Sequence, residues 1–430
     1  MTRKAITALL RIVARVFFRR IEIVGGERVP DGVPVIFAVN HPNGLIDPLF
    51  LLCYAPRPVS FLAKAPLFRY PLIGWIVRAF DAIPVHRKQD NTTGSNAETF
   101  ARARDVLQRG GAIAIFPEGT THDDPQLRAL KTGAARIALG ARVDAMCVVP
   151  TGIYYTAKHV FRSSALVFFG EPMAVRPLLT EGEPPVDEVE RLTAAIDAGL
   201  DSVTLQADSH AALELVALGE EIFSADDQTP LAQELDIRRR FTAGYHYLRV
   251  HDPARLETLA SAVRQFQAEL RRAHLDVHEL RPDLGPVRLF RVLVLLPLAI
   301  VGAVLNYPIY RVVDFLAKRF SNGEGNMIAT VKFIAALTFY PLGYAAAAIV
   351  LGLRYGVAYG AGAAVALPLL GYLALRVFEE IDDITGDVRA VTHRLFRRYG
   401  HARLVAQREA IRDQFLAVAR EMEADRNGAR

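Results

Sequence analysis

The chain has 430 residues, 51% of them hydrophobic and 23% charged, so it holds material for two or three packing units and is not a disordered chain. A positive mean hydropathy of +0.19 accompanies a pI of about 9.2 and a formal net charge of +5. Apolar richness suggests a bilayer and the excess of Lys and Arg favours anionic partners; membrane lipid satisfies both tendencies, nucleic acid only the second.

In residues 1–20, Ile6, Leu9, Leu10, Val13, Val16 and Phe17 recur at helical spacing, while Lys4, Arg11, Arg15 and Arg19 form a second stripe. Those cations interrupt any continuous apolar region, which excludes a secretory signal. The pattern predicts a cationic amphipathic helix, lying flat in the headgroup layer or packed on the domain's own core. Residues 21–175 alternate short β-rich runs with helical stretches. Strands are expected at Ile21–Val24, Val35–Val39, Val59–Leu62, Ala112–Phe116, Met146–Val149 and Leu166–Phe169, and helices at Asp47–Tyr54, Ala97–Gln108 and Lys131–Leu139. That is an α/β domain with a central mostly parallel or mixed sheet flanked by helices. Cys53 and Cys147 lie in apolar stretches without metal-like spacing and read as buried thiols in a reducing compartment.

Residues 176–285 begin with the Pro- and Glu-rich linker "VRPLLTEGEPPVDE" and continue as charged, periodic helices. Residues 286–376 carry three uncharged runs, Val292–Tyr310, Phe333–Leu353 and Tyr355–Leu375, each close to the ~20 residues that a helix needs to cross the hydrocarbon layer. A charged helical tail, 377–430, closes the chain. Arg281, Arg288 and Arg291 precede the first run, Arg311, Lys318, Arg319 and Lys332 follow it, and Arg376, Arg389, Arg394, Arg397 and Arg398 follow the third. Only the turn at Arg354 is poor in positive charge, so the charges place the α/β region and the tail on the cytoplasmic side with two crossings. Pro297, Gly302 and Pro308 then make the first run a broken, re-entrant or interfacial segment, and the second and third runs a transmembrane hairpin.

Four polar clusters sit at the ends of predicted strands: "NHPNGLIDP" after Val35–Val39, "AIPVHRKQD", "FPEGTTHD" after Ala112–Phe116, and "VVPTGIYY". In α/β sheets the carboxyl ends of strands are where ligands bind. Pro42 biases His41 toward an extended backbone, and Asp47 with Pro48 also reads as an N-cap and first-turn pair. In order and content the four blocks resemble the glycerolipid acyltransferases, the family of lysophosphatidate and glycerol-3-phosphate acyltransferases. Five residues between His41 and Asp47, where four are commonest, and Thr121 in place of the usual arginine look like the yeast-type glycerol-3-phosphate and dihydroxyacetone-phosphate branch. So do "IPVHRKQDN", "KTGAARIALGA", "FRSSALVFFGEP" and "NMIATVKF".

The resemblance implies a membrane O-acyltransferase of phosphatidate synthesis. It would move a fatty acyl group from acyl-CoA or acyl-carrier protein to glycerol 3-phosphate or dihydroxyacetone phosphate, with lysophosphatidate as the alternative acceptor and a non-catalytic lipid-binding protein as the alternative of another class. His41 would be the general base and Asp47 the carboxylate that fixes its tautomer. The thioester is already activated, so no serine or cysteine nucleophile, metal or further cofactor is called for. Arg87 and Lys131 are the candidates for the acceptor phosphate, Gly119 for close backbone approach and Thr120 for a hydroxyl contact; Glu118 is expected to anchor Arg87 or meet an acceptor hydroxyl. His86 and His122 are left in supporting roles. The partners are thus membrane phospholipid, the acyl donor and a small phosphorylated glycerol, with no nucleic acid.

Overall fold

The structure, a computed structural model, describes residues 3–69, 71–85, 96–122, 124–157, 160–178, 182–224, 230–280, 285–320 and 325–428. Two compact units emerge, Met1–Gln206 with Ser321–Thr330, and Ala207–Phe320 with Val331–Arg430.

In the first unit, helix α1 (Arg3–Phe17) precedes strand β1 (Arg20–Val24). α1 buries Ile6, Leu10, Ala14 and Phe17 on the domain core and leaves Leu9, Ile12 and Val16 exposed, so its apolar stripe is divided between two faces. Its C-terminal carbonyls, which have no partner within the helix, accept from Arg162, whose Nη1 reaches the oxygens of Arg15, Val16 and Phe18. There follow β2 (Val35–Val39), α2 (Ile46–Tyr54), β3 (Val59–Lys64), α3 (Pro71–Ala79), β4 (Ile83–Val85), α4 (Asn96–Gln108), β5 (Ala112–Ile115), α5 (Gly133–Leu139), β6 (Met146–Tyr155), β7 (Ser164–Phe169), β8 (Met173–Val175) and α6 (Val186–Asp201). The strands form one sheet in the order β1-β7-β6-β2-β5-β3-β4, with β8 also paired to β6. β2, β3, β4, β5 and the start of β6 run parallel, and β7 and β8 pair antiparallel with β6. The α/β expectation of a mixed, mostly parallel sheet therefore holds. β2, sequence VIFAV, is buried at every position, as an unbroken apolar run in the middle of a parallel sheet requires. One face of the sheet packs Ile36, Ala38, Ile113 and Ile115 against Ala103, Leu107, Ala135 and Ile137 of α4 and α5.

Two local differences from the sequence reading have physical causes. β6 does not stop at Val149 but runs on through Pro150 to Tyr155. Met146–Val148 pair with β8 and Thr151–Tyr155 with β7, so Pro150 falls at the handover between those partners, where no donor is needed on that side. Helix α3, not among the expected elements, opens on Pro71, whose fixed φ suits the first turn of a helix. Cys53 is buried, its thiol pushed up to about 12 by desolvation, whereas Cys147 is half-buried.

The second unit is helical. α7 (His210–Ser224), α8 (Leu231–His251), α9 (Pro253–Ala273) and α13 (Arg398–Gly428) pack around Ile222, Leu248, Val263, Phe266, Leu404, Ile411 and Val418. α10 (Pro286–Phe320), α11 (Gly325–Tyr355) and α12 (Val357–Phe396) are long and apolar enough to cross a membrane. The break expected at Pro297, Gly302 and Pro308 is absent: α10 is a continuous 35-residue helix. Packing holds its axis together. Ala299 and Ala374 are buried in one cluster, Gly302 lies against the backbone carbonyl of Leu370 so closely that no Cβ would fit, and Asn306 donates to the carbonyls of Gly302 (2.9 Å) and Leu367 (3.4 Å). Tyr344 of α11 donates to the same asparagine at 2.7 Å. Near the start of α10, Arg288 meets Asp383 (2.9 Å) and Asp387 (3.5 Å) of α12, and Arg291 meets Glu380. These pairs make α10 and α12 antiparallel. The turn between the second and third runs is tight, with Gly356 at φ 105°, yet it is α10, the first run, that α12 packs along.

Candidate active site

β2 and β5 are adjacent parallel strands, so the loops leaving their carboxyl ends, Asn40–Leu45 and Phe116–Leu130, emerge side by side. Asn40 fastens the first loop to β6: its Nδ2 donates to the Ile153 oxygen (3.0 Å), and its Oδ1 accepts from the Ile153 N–H (2.7 Å). The chain then places His41, with its side chain 11% exposed, over the ring of Phe116, the centroids 4.1 Å apart and the planes 24° from parallel.

His41 Nδ1 lies 2.9 Å from Asp47 Oδ2. Asp47 is fully buried, in the first turn of α2, and Leu45 rather than Asp47 holds the N-cap position. The carboxylate does not serve the helix end. Its Oδ2 accepts also from the Asn43 N–H (2.6 Å), and its Oδ1 from the Tyr155 hydroxyl (2.6 Å). Burial pushes the carboxyl's proton affinity up, and the His41, Tyr155 and Asn43 donors oppose that shift by stabilising the anion. With Nδ1–H committed to Asp47, the ring's lone pair resides on Nε2, the nitrogen that can take a proton from a substrate.

Glu118 is the second buried carboxylate. Its Oε1 accepts from the backbone N–H of His41 at 2.8 Å, and its Oε2 accepts from the Arg128 N–H at 3.2 Å and contacts His122 Nε2. Both oxygens serve protein donors, so the side chain joins the two loops, a part in addition to the roles expected for it at Arg87 or an acceptor hydroxyl. Gly119 turns at φ 75°, a conformation that favours glycine, and the Lys131 side chain lies where a Cβ would project. Lys131 precedes α5 instead of opening it, with its N–H on the Pro117 oxygen at 2.8 Å. Thr120 Oγ1 is 3.4 Å from the Thr121 oxygen. Arg87 and His86 lie outside the described residues.

The structure thus brings together His41, Asp47 and Glu118, and sets Lys131 over Gly119. Sequence reasoning missed Tyr155, Asn43 and Phe116. Tyr155 stood inside the quoted block "VVPTGIYY", but nothing in that block links it to a residue 108 positions earlier.

Residues 20–154 match the acyltransferase family, and residues 222–424 match the glycerol-3-phosphate acyltransferase 2 C-terminal domain. Together the two acyltransferase models match most of the chain. Among similar proteins, glycerol-3-phosphate O-acyltransferase 1 of Saccharomyces cerevisiae is 26% identical over 79% of this chain and 59% of its own length. Glycerol-3-phosphate O-acyltransferase 2 of the same yeast is 29% identical over 60% of this chain and 38% of its own. The 1-acyl-sn-glycerol-3-phosphate acyltransferase of Borreliella burgdorferi is 28% identical over 41% of this chain and 68% of its own. The chain therefore spans about half the length of the yeast relatives. Its three long apolar helices mark it as a membrane protein.

Proposed function

We propose that this chain transfers a fatty acyl group from an acyl-CoA or acyl-carrier-protein thioester to a hydroxyl of glycerol 3-phosphate or dihydroxyacetone phosphate. The observation that carries the reading is the His41–Asp47 couple at the carboxyl end of β2, with one ring nitrogen held by a buried carboxylate. The acceptor hydroxyl gives its proton to His41 Nε2 as its oxygen bonds to the thioester carbon. The tetrahedral intermediate then expels the thiolate, which takes the proton back from the imidazolium, so ester and thiol are formed and the base is regenerated. Asp47 stabilises the imidazolium while it lasts. A general base of this kind supplies ~10²–10⁴-fold. These steps balance with the thioester as the only co-substrate.

For the acceptor's phosphate we assign Arg87 and Lys131, with Gly119 and Thr120 offering backbone access and a hydroxyl. Lys131 lying over Gly119 supports this, because it sets an ammonium at the turn where the backbone is barest. Lysophosphatidate as the acceptor is the second reading, favoured by the Borreliella relative's name. The deciding assay offers glycerol 3-phosphate, dihydroxyacetone phosphate and lysophosphatidate to the purified full chain with one labelled acyl donor. Turnover of lysophosphatidate alone would overturn the leading assignment. In the same assay Arg87→Ala is expected to raise KM for the phosphorylated acceptor far more than KM for the donor; equal effects on both would remove Arg87 from the phosphate site.

The membrane arrangement we infer has residues 1–20 as a membrane-surface helix, 21–175 as the catalytic domain, 176–285 as linker and helical region, 286–376 as the membrane region and 377–430 as the tail. The exposed Leu9, Ile12 and Val16 of α1, interleaved with Lys4, Arg11 and Arg15, suit a headgroup layer. The ion pairs of Arg288 and Arg291 with Asp383, Asp387 and Glu380 set the start of α10 beside the acidic stretch that follows the apolar half of α12, which supports an even number of crossings between them. The positive charges assign that face to the cytoplasm. Cysteine labelling in sealed vesicles tests it: the tail and the helices before α10 should react from the same side, and a tail reacting from the opposite side would refute it.

A further inference from the structure

Within the aromatic cluster behind the site, one polar atom calls for explanation. Tyr155, the last residue of β6, is buried, its ring stacked on Phe18 (centroids 5.7 Å, planes 26°) and against Phe50 (5.9 Å). A phenylalanine would complete this cluster without desolvating a hydroxyl, and removing a hydroxyl from water is costly unless it is bonded. The hydroxyl is used once, on Asp47 Oδ1 at 2.6 Å. A tyrosine needed only for packing could satisfy its O–H on a backbone carbonyl; this one donates to the carboxylate that holds the candidate base.

We infer that Tyr155 is a positioning residue for the acyl transfer, its hydroxyl setting how strongly the Asp47 carboxylate holds a proton on the His41–Asp47 couple; the inference rests on the reading of His41 as the base. Desolvation, together with the neighbouring carboxylate, keeps the phenol's titration well above its ordinary range, so it remains a donor throughout any practical assay. In the resting couple the carboxylate carries an uncompensated charge. Once His41 is protonated, that charge is neutralised by the imidazolium. The Tyr155 donor therefore stabilises the resting state more than the protonated one, and it makes the couple harder to protonate. The same bond holds the carboxylate's second oxygen, so that the first stays aligned on Nδ1.

The direction of the effect follows. In Tyr155→Phe the acid limb of the kcat/KM profile should move to higher pH by up to about one unit, and kcat at the optimum should fall about 10-fold, the scale of one hydrogen bond to a charged group. KM for both substrates should stay unchanged. A second variant carries 2,3-difluorotyrosine at position 155, which keeps the ring and strengthens the donor; its acid limb should move to lower pH. The protonation of His41 is read independently of turnover from the pH dependence of its carbethoxylation by diethyl pyrocarbonate, measured by mass spectrometry on the detergent-solubilised full chain. His41→Ala is assayed alongside. Opposite shifts in the two Tyr155 variants, in both readouts, establish the role. An acid limb and a labelling midpoint that stay in place in every folded variant overturn it, even while His41→Ala is inactive. Full turnover by His41→Ala would instead overturn the acyl-transfer mechanism itself.

Discussion

His41→Ala is expected to leave the fold and the membrane attachment intact and to lower turnover at least ~10²-fold. The substitution removes the ring but keeps the backbone N–H that Glu118 accepts, so the β2 loop retains its anchor. Asp47 loses one of three donors and keeps those of Asn43 and Tyr155, a loss on the order of 1–3 kcal/mol that a 430-residue membrane protein should tolerate. Nothing else described at the site offers the same chemistry, since the His122 ring is engaged by Glu118 and by the Asp124 N–H. Asp47→Asn should be nearly as harmful, because the amide cannot balance an imidazolium. The measurement is kcat on protein whose circular dichroism matches the parent; near-normal turnover in folded His41→Ala would sink the mechanism.

The second large effect belongs to Glu118. Glu118→Ala leaves the N–H groups of His41 and Arg128 and the His122 ring nitrogen without their shared acceptor. A buried donor left unpaired costs about 1–3 kcal/mol, and because these donors are only partly buried the total loss should stay within about that range. Turnover should fall as well, although the side chain touches neither reacting atom, because the His41 backbone would no longer be fixed against the neighbouring loop. Glu118→Gln should be milder in stability: it keeps one acceptor oxygen but turns an NH₂ toward a donor. Denaturation midpoints in detergent, read beside kcat, test this, and unchanged stability together with unchanged turnover in Glu118→Ala would show that the carboxylate does not hold the loops.

How much of this was legible in the sequence depends on the range of the interaction. β2 was read to the residue because five buried positions in succession leave an unbroken apolar signature. The His41–Asp47 pair was legible because its members are six residues apart and joined by one tight loop. Glu118 was found without its donors, the His41 and Arg128 N–H groups and the His122 ring, since a motif reveals a carboxylate and not the donors that two converging loops will present to it. Tyr155 was not legible at all: it meets Asp47 only after β6 has been laid beside β2, and sheet order is not written in any local pattern. The continuity of α10 was misjudged for a related reason. Proline weakens a helix locally, while the packing that preserves it here comes from residues some sixty to seventy positions later.

The length of α12 has a mechanical consequence. Its 40 residues make a rod of about 60 Å, roughly twice the thickness of the hydrocarbon layer. The apolar half ends near Leu375, and beyond it the same helix carries Glu379, Glu380, Asp382, Asp383 and Asp387, then buries Ala390 in the core shared by α8, α9 and α13. No loop separates the two halves. A rod without a joint acts as a lever: a change of tilt imposed by a thicker or thinner bilayer at one end is delivered at the other as a displacement of the helical bundle, scaled by the length that projects beyond the lipid.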